Sequence, residues 1–423
     1  MGLGQYHITG GRRLAGTLEI GGGKNAVLPI LAACVLHGGE SVLHNCPRIS
    51  DTHSALAILC AIGCETHFEG HDIVVNAAKA GNVAVPESLV REMRAAIIFL
   101  GAMLGRFGHV QIGYPGGCEL GARPIDLHLK ALRQMGADIT ETHGVIHCKA
   151  KGKRLQGAAL HLDFPSVGAT ENILLAAVFA EGETVLTNAA REPEIVDLQN
   201  FLNAMGAKVR GAGTGTIAIR GVERLHGAEY TVMPDRIVAG TMLTAAAITG
   251  GEVTLTNVVP EDLAPVLAKL AETGCVIREE KRRIHLAAPD VLRPVDCLRT
   301  LPHPGFPTDM QSQFMACLCL ARGTSICMET VFESRNKHVA ELRRMGADIV
   351  AQDGQTSIIK GVPKLHGAAV EVKDLRGGAA LTLAGLAAEG ESVVSNISHI
   401  ERGYEDFAGD LRALGANISR AEA

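Results

Sequence analysis

Apolar and polar positions follow a repeating pattern whose marker segment recurs six times along the chain, once in a weaker form at 59–66, and whose leading segment recurs in most copies. The pattern begins with an apolar helix, a glycine stop and an alternating strand ending in Asn, as in ENILLAAVFAEGETVLTNAA at 171–190. A second, amphipathic helix, a marker glycine and a hairpin such as AKVRGAGTGTIAIRG follow. The marker glycines lie 68 to 73 residues apart and are Gly63, Gly136, Gly206, Gly274, Gly346 and Gly415. The pattern therefore predicts six βαβαββ repeats.

The apolar helices of the pattern predict the architecture. They are apolar nearly all round, so they must be buried. We expect helices inside and sheets outside, with three repeats closing around each of two axes: an α/β fold of the two-domain, inside-out barrel type. The break is expected near YTVMPDR (230–236), which gives one domain at 24–232 and a second at 1–23 plus 233–423.

The first repeat lacks a good leading strand. Residues 1–23 are therefore expected to supply such a strand to the last repeat, which makes the second domain discontinuous. Two crossovers between the domains would leave a cleft, and the active site is expected there.

Composition excludes several function classes. The 423 residues are 47% hydrophobic and 3% aromatic, with no Trp and a net charge of −5, which argues against nucleic-acid binding. The eleven cysteines form no CxxC pair or zinc spacing, which indicates thiols in a reducing compartment. We expect a cytoplasmic protein, because no signal peptide is evident and the longest apolar stretch, 95–105, is about half of the roughly 20 residues a membrane span needs.

The second repeat departs most from the pattern. Where the others end a strand in Thr-Asn, it has VQIGYPGGCELGARPIDLH. Cys118 lies among glycines, and Arg123-Pro124 precede a helix expected to begin at Ile125. A helix N-terminus beside an Arg favours anions and would lower the pKa of a nearby thiol. A buried thiol in a glycine-rich turn explains the same residues, so both interpretations stay open here.

Two further helix starts carry candidate chemistry. Lys24-Asn25 follow three glycines, but the phosphate-loop pattern fails because Leu18 stands where it needs Gly. The residues alone favour a solvated lysine over one aimed across the helix N-terminus. Thr308-Asp309 follow a proline-rich approach, which suits either a helix cap or a fixed general base.

Several arginines break the repeat at strand-to-helix junctions. Arg335, Arg376 and Arg402 are of this kind, and together with Arg94 and Arg123 they indicate a polyanionic ligand. Each one taken alone could equally be a surface residue. Cys317 and Cys319 lie in an apolar run and are expected in the core.

Over essentially its whole length the chain resembles the UDP-N-acetylglucosamine enolpyruvyl transferases. The matching motifs are GKNAVLPI, MRAAI, PGGCELGARPIDLH, PSVGATEN, AAREPEIVDL, FPTDMQ, DLR and HIERGYE. The resemblance implies the inside-out barrel fold and the transfer of enolpyruvyl from phosphoenolpyruvate to the 3-hydroxyl of UDP-N-acetylglucosamine at the start of peptidoglycan synthesis. It implies small-molecule substrates only, and no metal or organic cofactor.

The resemblance also implies roles for individual residues. Cys118 would protonate or add to the enolpyruvyl group, and Asp309 would take the hydroxyl proton. Lys24, Arg123 and Arg402 would hold phosphoenolpyruvate, with Arg335 and Arg376 near its carboxylate. The remaining substrate-binding residues on the sugar nucleotide would be Asn25, Arg94, Arg123, Pro124, Ile125, Asp126, Leu127, Ser166, Val167 and Val331.

Two other functions stay open at this point. The shikimate-pathway enolpyruvyl transferase shares the implied fold, although it lacks the PGGC loop. A catalytically idle paralogue that binds UDP-sugars is the second alternative, and the joint presence of Lys24, Cys118, Asp309 and Arg402 argues against it.

Overall fold

The computed structural model describes residues 4–116, 125–352 and 354–422. Internal contacts divide the chain into two compact units, with crossings at Gly21–Gly22 and Met233–Pro234. We call them the N-unit, from Gly22 to Met233, and the C-unit, which joins the segment ending at Gly21 to the chain from Pro234 onward. Each has its own cluster of buried apolar residues.

The N-terminal segment of the C-unit holds strands β1 (Gln5–Thr9) and β2 (Ala15–Glu19). The N-unit strands are β3 (Glu40–His44), β4 (Glu65–Glu69), β5 (Asp72–Asn76), β6 (Ala84–Val85), β7 (His109–Gly113), β8 (Ala137–Thr142), β9 (Val145–Ala150), β10 (Ala159–His161), β11 (Glu183–Thr187), β12 (Lys208–Arg210), β13 (Thr216–Arg220) and β14 (Glu229–Thr231). Its helices are α1 (Lys24–Ala33), α2 (Ser50–Ile62), α3 (Glu87–Glu92), α4 (Ile98–Phe107), α5 (Asp126–Gln134), α6 (Val167–Ala177) and α7 (Pro193–Ala204), with 3-10 turns at Cys34–Leu36 and Arg94–Ile97.

The remaining C-unit strands are β15 (Glu252–Thr256), β16 (Val276–Glu280), β17 (Arg283–Ala287), β18 (Cys297–Arg299), β19 (Thr324–Met328), β20 (Asp348–Gln352), β21 (Thr356–Lys360), β22 (Ala369–Glu371), β23 (Glu391–Ser395) and β24 (Asn417–Ala421). Its helices are α8 (Arg236–Ile248), α9 (Pro260–Glu272), α10 (Gln311–Leu318), α11 (Val339–Arg344), α12 (Leu375–Ala387) and α13 (Phe407–Ala413), with 3-10 turns at Thr308–Met310, Arg335–His338 and Ile397–His399.

Helices inside and sheets outside are what the apolar pattern predicts, and the structure confirms this fold. Helix α12 is buried at every position from Arg376 to Leu386, and α6 from Ala169 to Ala177. The strands instead alternate buried and more exposed residues, as β23 and β11 do. An alternating strand has one face on the core, so the sheets form the outer layer.

The strands described form six four-stranded sheets with one shared plan. In the sheet β10-β11-β13-β12, a short leading strand pairs in parallel with the second strand, and an antiparallel hairpin completes the sheet. The parallel pair is joined through a buried helix, as a parallel connection requires. This order matches the predicted βαβαββ repeat.

The placement of residues 1–23 differs from the prediction. Strand β1 does not lead the last sheet, since β22 does that; β1 lies in the middle of it, antiparallel to both β23 and β24. Strand β2 leads a different sheet, parallel to β15. The first repeat obtains its leading strand from β14, at the far end of the N-unit. The sequence did not reveal these pairings, because short alternating strands have nearly the same pattern and could pair in any of the six sheets.

Four sheets end their second strand in the same asparagine turn. Asn45, Asn188, Asn257 and Asn396 all have positive φ, a conformation that Asn tolerates better than most residues. In each case Nδ2 donates to the carbonyl of the residue that follows the leading strand, namely Val232, Leu162, Ile20 and Val372. Tyr114 and Glu329 stand at this position in the other two sheets.

Candidate functional site

The predicted site residues fall into two groups, one in each unit, and each group is described separately. Cys118, Arg123 and Pro124 lie outside the described residues. Asp309, Val331, Arg335, Arg376 and Arg402 belong to the C-unit. The N-unit carries Lys24, Asn25, Arg94, Ile125, Asp126, Leu127, Ser166 and Val167.

Asp309 lies in the 3-10 turn that leads into α10. The turn is capped at Pro307 without a side-chain bond, so Asp309 is not the helix cap that one interpretation allowed. Its Oδ1 accepts from Arg335 Nη2 at 2.7 Å, and its Oδ2 accepts from Arg376 Nη2 at 3.0 Å. The carboxylate therefore lies between two guanidinium groups.

Both arginines are buried, so the surface interpretation of them is wrong. The side chains of Arg335 and Arg376 are 2% and 4% exposed, while that of Asp309 is 25% exposed. Arg335 begins the 3-10 turn after β19, and Arg376 opens α12 behind the cap residue Asp374, whose Oδ1 accepts from the Arg376 amide at 3.0 Å. Three strand-to-helix junctions of the C-unit thus meet at one carboxylate.

The charges decide the protonation state of Asp309. Burial alone would raise the pKa of this carboxyl, but Arg376 and Arg335 outweigh burial and hold the pKa well below its ordinary value. Asp309 is therefore ionised at neutral pH, as a proton acceptor must be. For Arg376, burial alone would lower the pKa of the guanidinium group. The charge of Asp309 outweighs burial, so this pKa is raised.

A buried polar network supports this cluster from behind. Gln313 Nε2 donates to the Asp309 carbonyl at 2.9 Å and to Thr241 Oγ1 at 3.1 Å. Thr241 is hydrogen-bonded to Tyr404 Oη at 2.9 Å, and the Arg376 guanidinium lies 5.8 Å from the Tyr404 ring centre. Arg402, two residues before Tyr404, is half-buried. Sequence reasoning missed Gln313 and Tyr404, although FPTDMQ and HIERGYE place them near Asp309 and Arg402 in the chain.

Val331 lies in the turn after β19, close in sequence to Arg335. Its amide donates to Glu329 Oε1 at 2.8 Å, and the same carboxylate reaches Thr308 Oγ1 with its other oxygen at 2.9 Å. Glu329 is 1% exposed. Only its departure from the asparagine turn of four other sheets could have pointed to it.

Lys24 opens α1 in the N-unit and is not a solvated lysine. Its Nζ lies 2.7 Å from Oδ2 of Asp51, with the two side chains 13% and 4% exposed. Asp51 is in the first turn of α2, where a carboxylate is favoured by the helix dipole. Asn25, the next residue of α1, is half-buried. Asp51 was missed because nothing in sequence joins it to the glycine-rich segment.

The predicted nucleotide-binding residues of the N-unit lie at helix starts. Arg94 begins a 3-10 turn, and Ser166 caps α6 by accepting from the Ala169 amide. Helix α5 begins at Asp126 and not at Ile125, which is its flanking residue. Leu127 is half-buried.

One buried asparagine connects the three elements that these residues begin. Asn172, in α6, lies 2.7 Å from His128 Nδ1 in the first turn of α5, and its Nδ2 donates to the Ile97 carbonyl at the end of the Arg94 turn. Its Oδ1 accepts from the Gly101 amide. These contacts join α6, the first turn of α5 and the end of the Arg94 turn within the N-unit.

Within 4–116, 125–352 and 354–422, no group of three or more His, Cys, Asp or Glu side chains could hold a metal ion. No helix in this part of the chain is long and apolar enough to cross a membrane. The ten cysteines described carry unpaired thiols, and Cys317 and Cys319 are fully buried, as expected.

Comparison with known proteins gives the same family by sequence and by fold. The family model of EPSP synthase (3-phosphoshikimate 1-carboxyvinyltransferase) matches residues 8–411. The UDP-N-acetylglucosamine 1-carboxyvinyltransferase 2 of Caldanaerobacter subterraneus subsp. tengcongensis is 52% identical, covering 99% of this chain and 100% of the relative. The corresponding enzyme 1 of Halalkalibacterium halodurans is 51% identical, over 98% and 93% of the two chains.

Solved structures agree. The enolpyruvyl transferase NikO from Streptomyces tendae superposes with a TM-score of 0.89 at 25% identity, over 100% of both chains. EPSP synthase from Acinetobacter baumannii gives a TM-score of 0.76 at 21% identity, over 99% of this chain and 100% of its own, which is a likeness of fold.

Proposed function

The chain belongs to the enolpyruvyl transferases, with relatives about half identical to it among the UDP-N-acetylglucosamine 1-carboxyvinyltransferases, and from that premise we propose its reaction. It transfers the enolpyruvyl group of phosphoenolpyruvate to the 3-hydroxyl of UDP-N-acetylglucosamine and releases phosphate. The observation that carries the proposal for the site is Asp309 held between Arg335 and Arg376.

The reaction requires an acid and a base. Asp309 accepts the proton of the 3-hydroxyl as the oxygen attacks C2 of phosphoenolpyruvate, while C3 receives a proton from Cys118. The tetrahedral adduct then loses a proton from its new methyl group and expels phosphate, which restores the double bond. The ionised state of Asp309 supports its part as base.

The cations hold the charges of phosphoenolpyruvate. The resemblance implies that Arg335 and Arg376 lie near the substrate carboxylate, and guanidinium groups are suited to bind one. Lys24, Arg123 and Arg402 take the phosphate. Asn25 contacts the sugar, whereas Arg94, residues 123–127 and Ser166-Val167 hold the UDP. Val331 is a further substrate-binding residue.

This reaction uses residues of both predicted domains, 24–232 and 1–23 plus 233–423, as the resemblance implies. We also infer a cytoplasmic enzyme of peptidoglycan precursor synthesis, because unpaired thiols suit a reducing compartment.

A phosphate-release assay tests the proposal. With phosphoenolpyruvate we expect release on addition of UDP-N-acetylglucosamine and none with shikimate 3-phosphate. The Asp309→Asn variant should lose activity by at least about a hundredfold, because the base is removed. Release with shikimate 3-phosphate would favour the shikimate-pathway reaction. Binding of UDP-N-acetylglucosamine without any release would favour an idle paralogue.

A further inference from the structure

Glu329 breaks the asparagine turn in the sheet formed by β18 to β21. In four sheets a neutral Asn clamps the residue after the leading strand. Here that residue is Thr300, and its hydroxyl donates to Glu329 Oε1 at 2.9 Å. Glu329 therefore keeps the clamp, but with a buried carboxylate in place of an amide.

The carboxylate accepts three further hydrogen bonds. Oε1 also accepts from the amides of Val331 at 2.8 Å and Phe332 at 3.0 Å. Oε2 accepts from the hydroxyl of Thr308 at 2.9 Å. Burying a charge is costly unless it is hydrogen-bonded, and these four donors compensate for it. A strand-end clamp does not need the bond to Thr308.

The two segments that Glu329 connects lie on either side of the Asp309–Arg335 pair. Thr308 directly precedes Asp309, and its carbonyl accepts from Arg335 Nη2 at 3.1 Å. The Phe332 ring centre lies 5.3 Å from the Arg335 guanidinium. One buried side chain thus ties the turn that carries Val331 to the turn that carries Asp309.

We propose that Glu329 is a positioning residue, which holds Asp309 in register with the Val331 turn through the Thr308 hydroxyl. The assignment rests on the proposed function, in which Asp309 accepts the hydroxyl proton. A general base must lie within hydrogen-bond reach of its proton, so a small misplacement lowers turnover more than binding.

Two variants address the link from its two ends. Glu329→Gln keeps a carbonyl oxygen for Thr300, Val331 and Phe332. Its amide nitrogen cannot accept from Thr308, so the bond between the two side chains can only form in the reverse direction and without the charge. Thr308→Val keeps the shape of the side chain and removes the hydroxyl. Each should lower kcat about tenfold, the effect of one lost hydrogen bond to a charged group, with KM for UDP-N-acetylglucosamine changed less than about threefold.

The double variant is the decisive measurement. If both changes act on the same bond, Thr308→Val/Glu329→Gln should have nearly the kcat of the lower single variant, because the effects are not additive. Thr308→Ser, which keeps the hydroxyl, should restore most of the kcat. Asn188→Ala, at the same place in an N-unit sheet, is the control for loss of a clamp and should lower the melting temperature without changing kcat.

The outcomes separate this proposal from the proposed function. An active wild-type protein whose variants have unchanged kcat, or whose effects multiply in the double variant, would overturn the role of Glu329 alone. A lower activity that is explained entirely by a smaller folded fraction, with kcat per folded molecule unchanged, would also overturn it. A wild-type protein that releases no phosphate would overturn both proposals.

Discussion

At the scale of single residues, the charge on Asp309 depends on side chains far away in the sequence. Arg335 is 26 residues from it and Arg376 is 67 residues from it. The carboxyl is partly buried, and without the two guanidinium groups burial would favour its neutral form. The same Asp could therefore be base or acid, and its neighbours select the base.

Removing one of these charges should move the pH profile. In Arg376→Gln the pKa of Asp309 rises from well below its ordinary value, because burial is then opposed by one guanidinium group instead of two. We therefore expect an acidic limb of the kcat/KM profile to enter the range above pH 4 in this variant, where wild type shows none from Asp309, together with a lower maximum. Arg376→Lys keeps the charge and should leave the profile near that of wild type. The measurement is phosphate release between pH 4 and 9. Equal shifts in both variants would contradict an electrostatic cause.

A separate prediction concerns the reactivity of Cys118 and rests on the PGGC motif. Fosfomycin, an epoxide, should alkylate it: the thiolate opens the ring, a C–S bond forms and the ring oxygen takes up a proton. Mass spectrometry should find one adduct on Cys118 and loss of activity. Full activity with no adduct after stoichiometric treatment would contradict this. Cys118→Asp should be resistant, and retained turnover in that variant would favour the acid role of the thiol.

At the scale of elements, side chains at strand ends attach the leading strands. The four asparagine turns do this with a neutral amide. Helix α7 adds a second attachment for β14, because Tyr230 Oη donates to Asp197 Oδ1 at 2.6 Å and the Met233 amide donates to Oδ2 at 3.3 Å. Burial is the main reason that the pKa of Asp197 is raised to about 6.

The raised pKa makes stability depend on pH in a defined direction. Between the ordinary aspartate pKa of about 4 and about 6, folded Asp197 holds a proton that the unfolded chain has lost, so this group lowers the free energy of unfolding as pH rises. Asp197→Asn removes the effect. Relative to wild type, the variant should gain roughly 2 kcal/mol between pH 4 and pH 7.

Urea denaturation at several pH values measures this difference. Asp290→Asn changes a carboxylate that is 87% exposed and should follow wild type across the range. A difference between Asp197→Asn and wild type that stays constant with pH would show that the pKa of Asp197 is the same in the folded and the unfolded chain, which would contradict an effect of burial.

At the scale of the whole molecule, three sheets are completed by strands that are distant in sequence from the rest of the sheet. Strand β14 completes the first sheet of the N-unit, while β1 and β2 complete two sheets of the C-unit. The N-unit is therefore continuous in sequence with all its strands, and the C-unit is not. Its last sheet has β1 at the centre, between β23 and β24.

Fragments of the chain should differ accordingly. We expect residues 22–233 to fold alone, with a cooperative thermal transition by circular dichroism. Residues 234–423 lack β1 and β2, which leaves β24 without its partner, so this fragment should not melt cooperatively. Joining residues 4–21 after residue 422 through a flexible linker should restore folding. Cooperative melting of 234–423 alone would contradict the central role of β1.

The sequence alone was enough to predict the repeat, the buried helices, the outer sheets and the family, because hydrophobic period and motif are properties of neighbouring residues. It also identified Asp309, Arg335 and Arg376 as candidates. It left open whether each was a cap, a surface residue or part of a site.

Only tertiary structure decided that Asp309 lies between two buried arginines, that Lys24 pairs with Asp51, and that Glu329 connects Thr308 to Val331. These are contacts between residues distant in sequence. The pairing of β1, β2 and β14 also depends on residues distant in sequence. Six similar repeats offer each short strand nearly equivalent partners, and only the complete fold selects one.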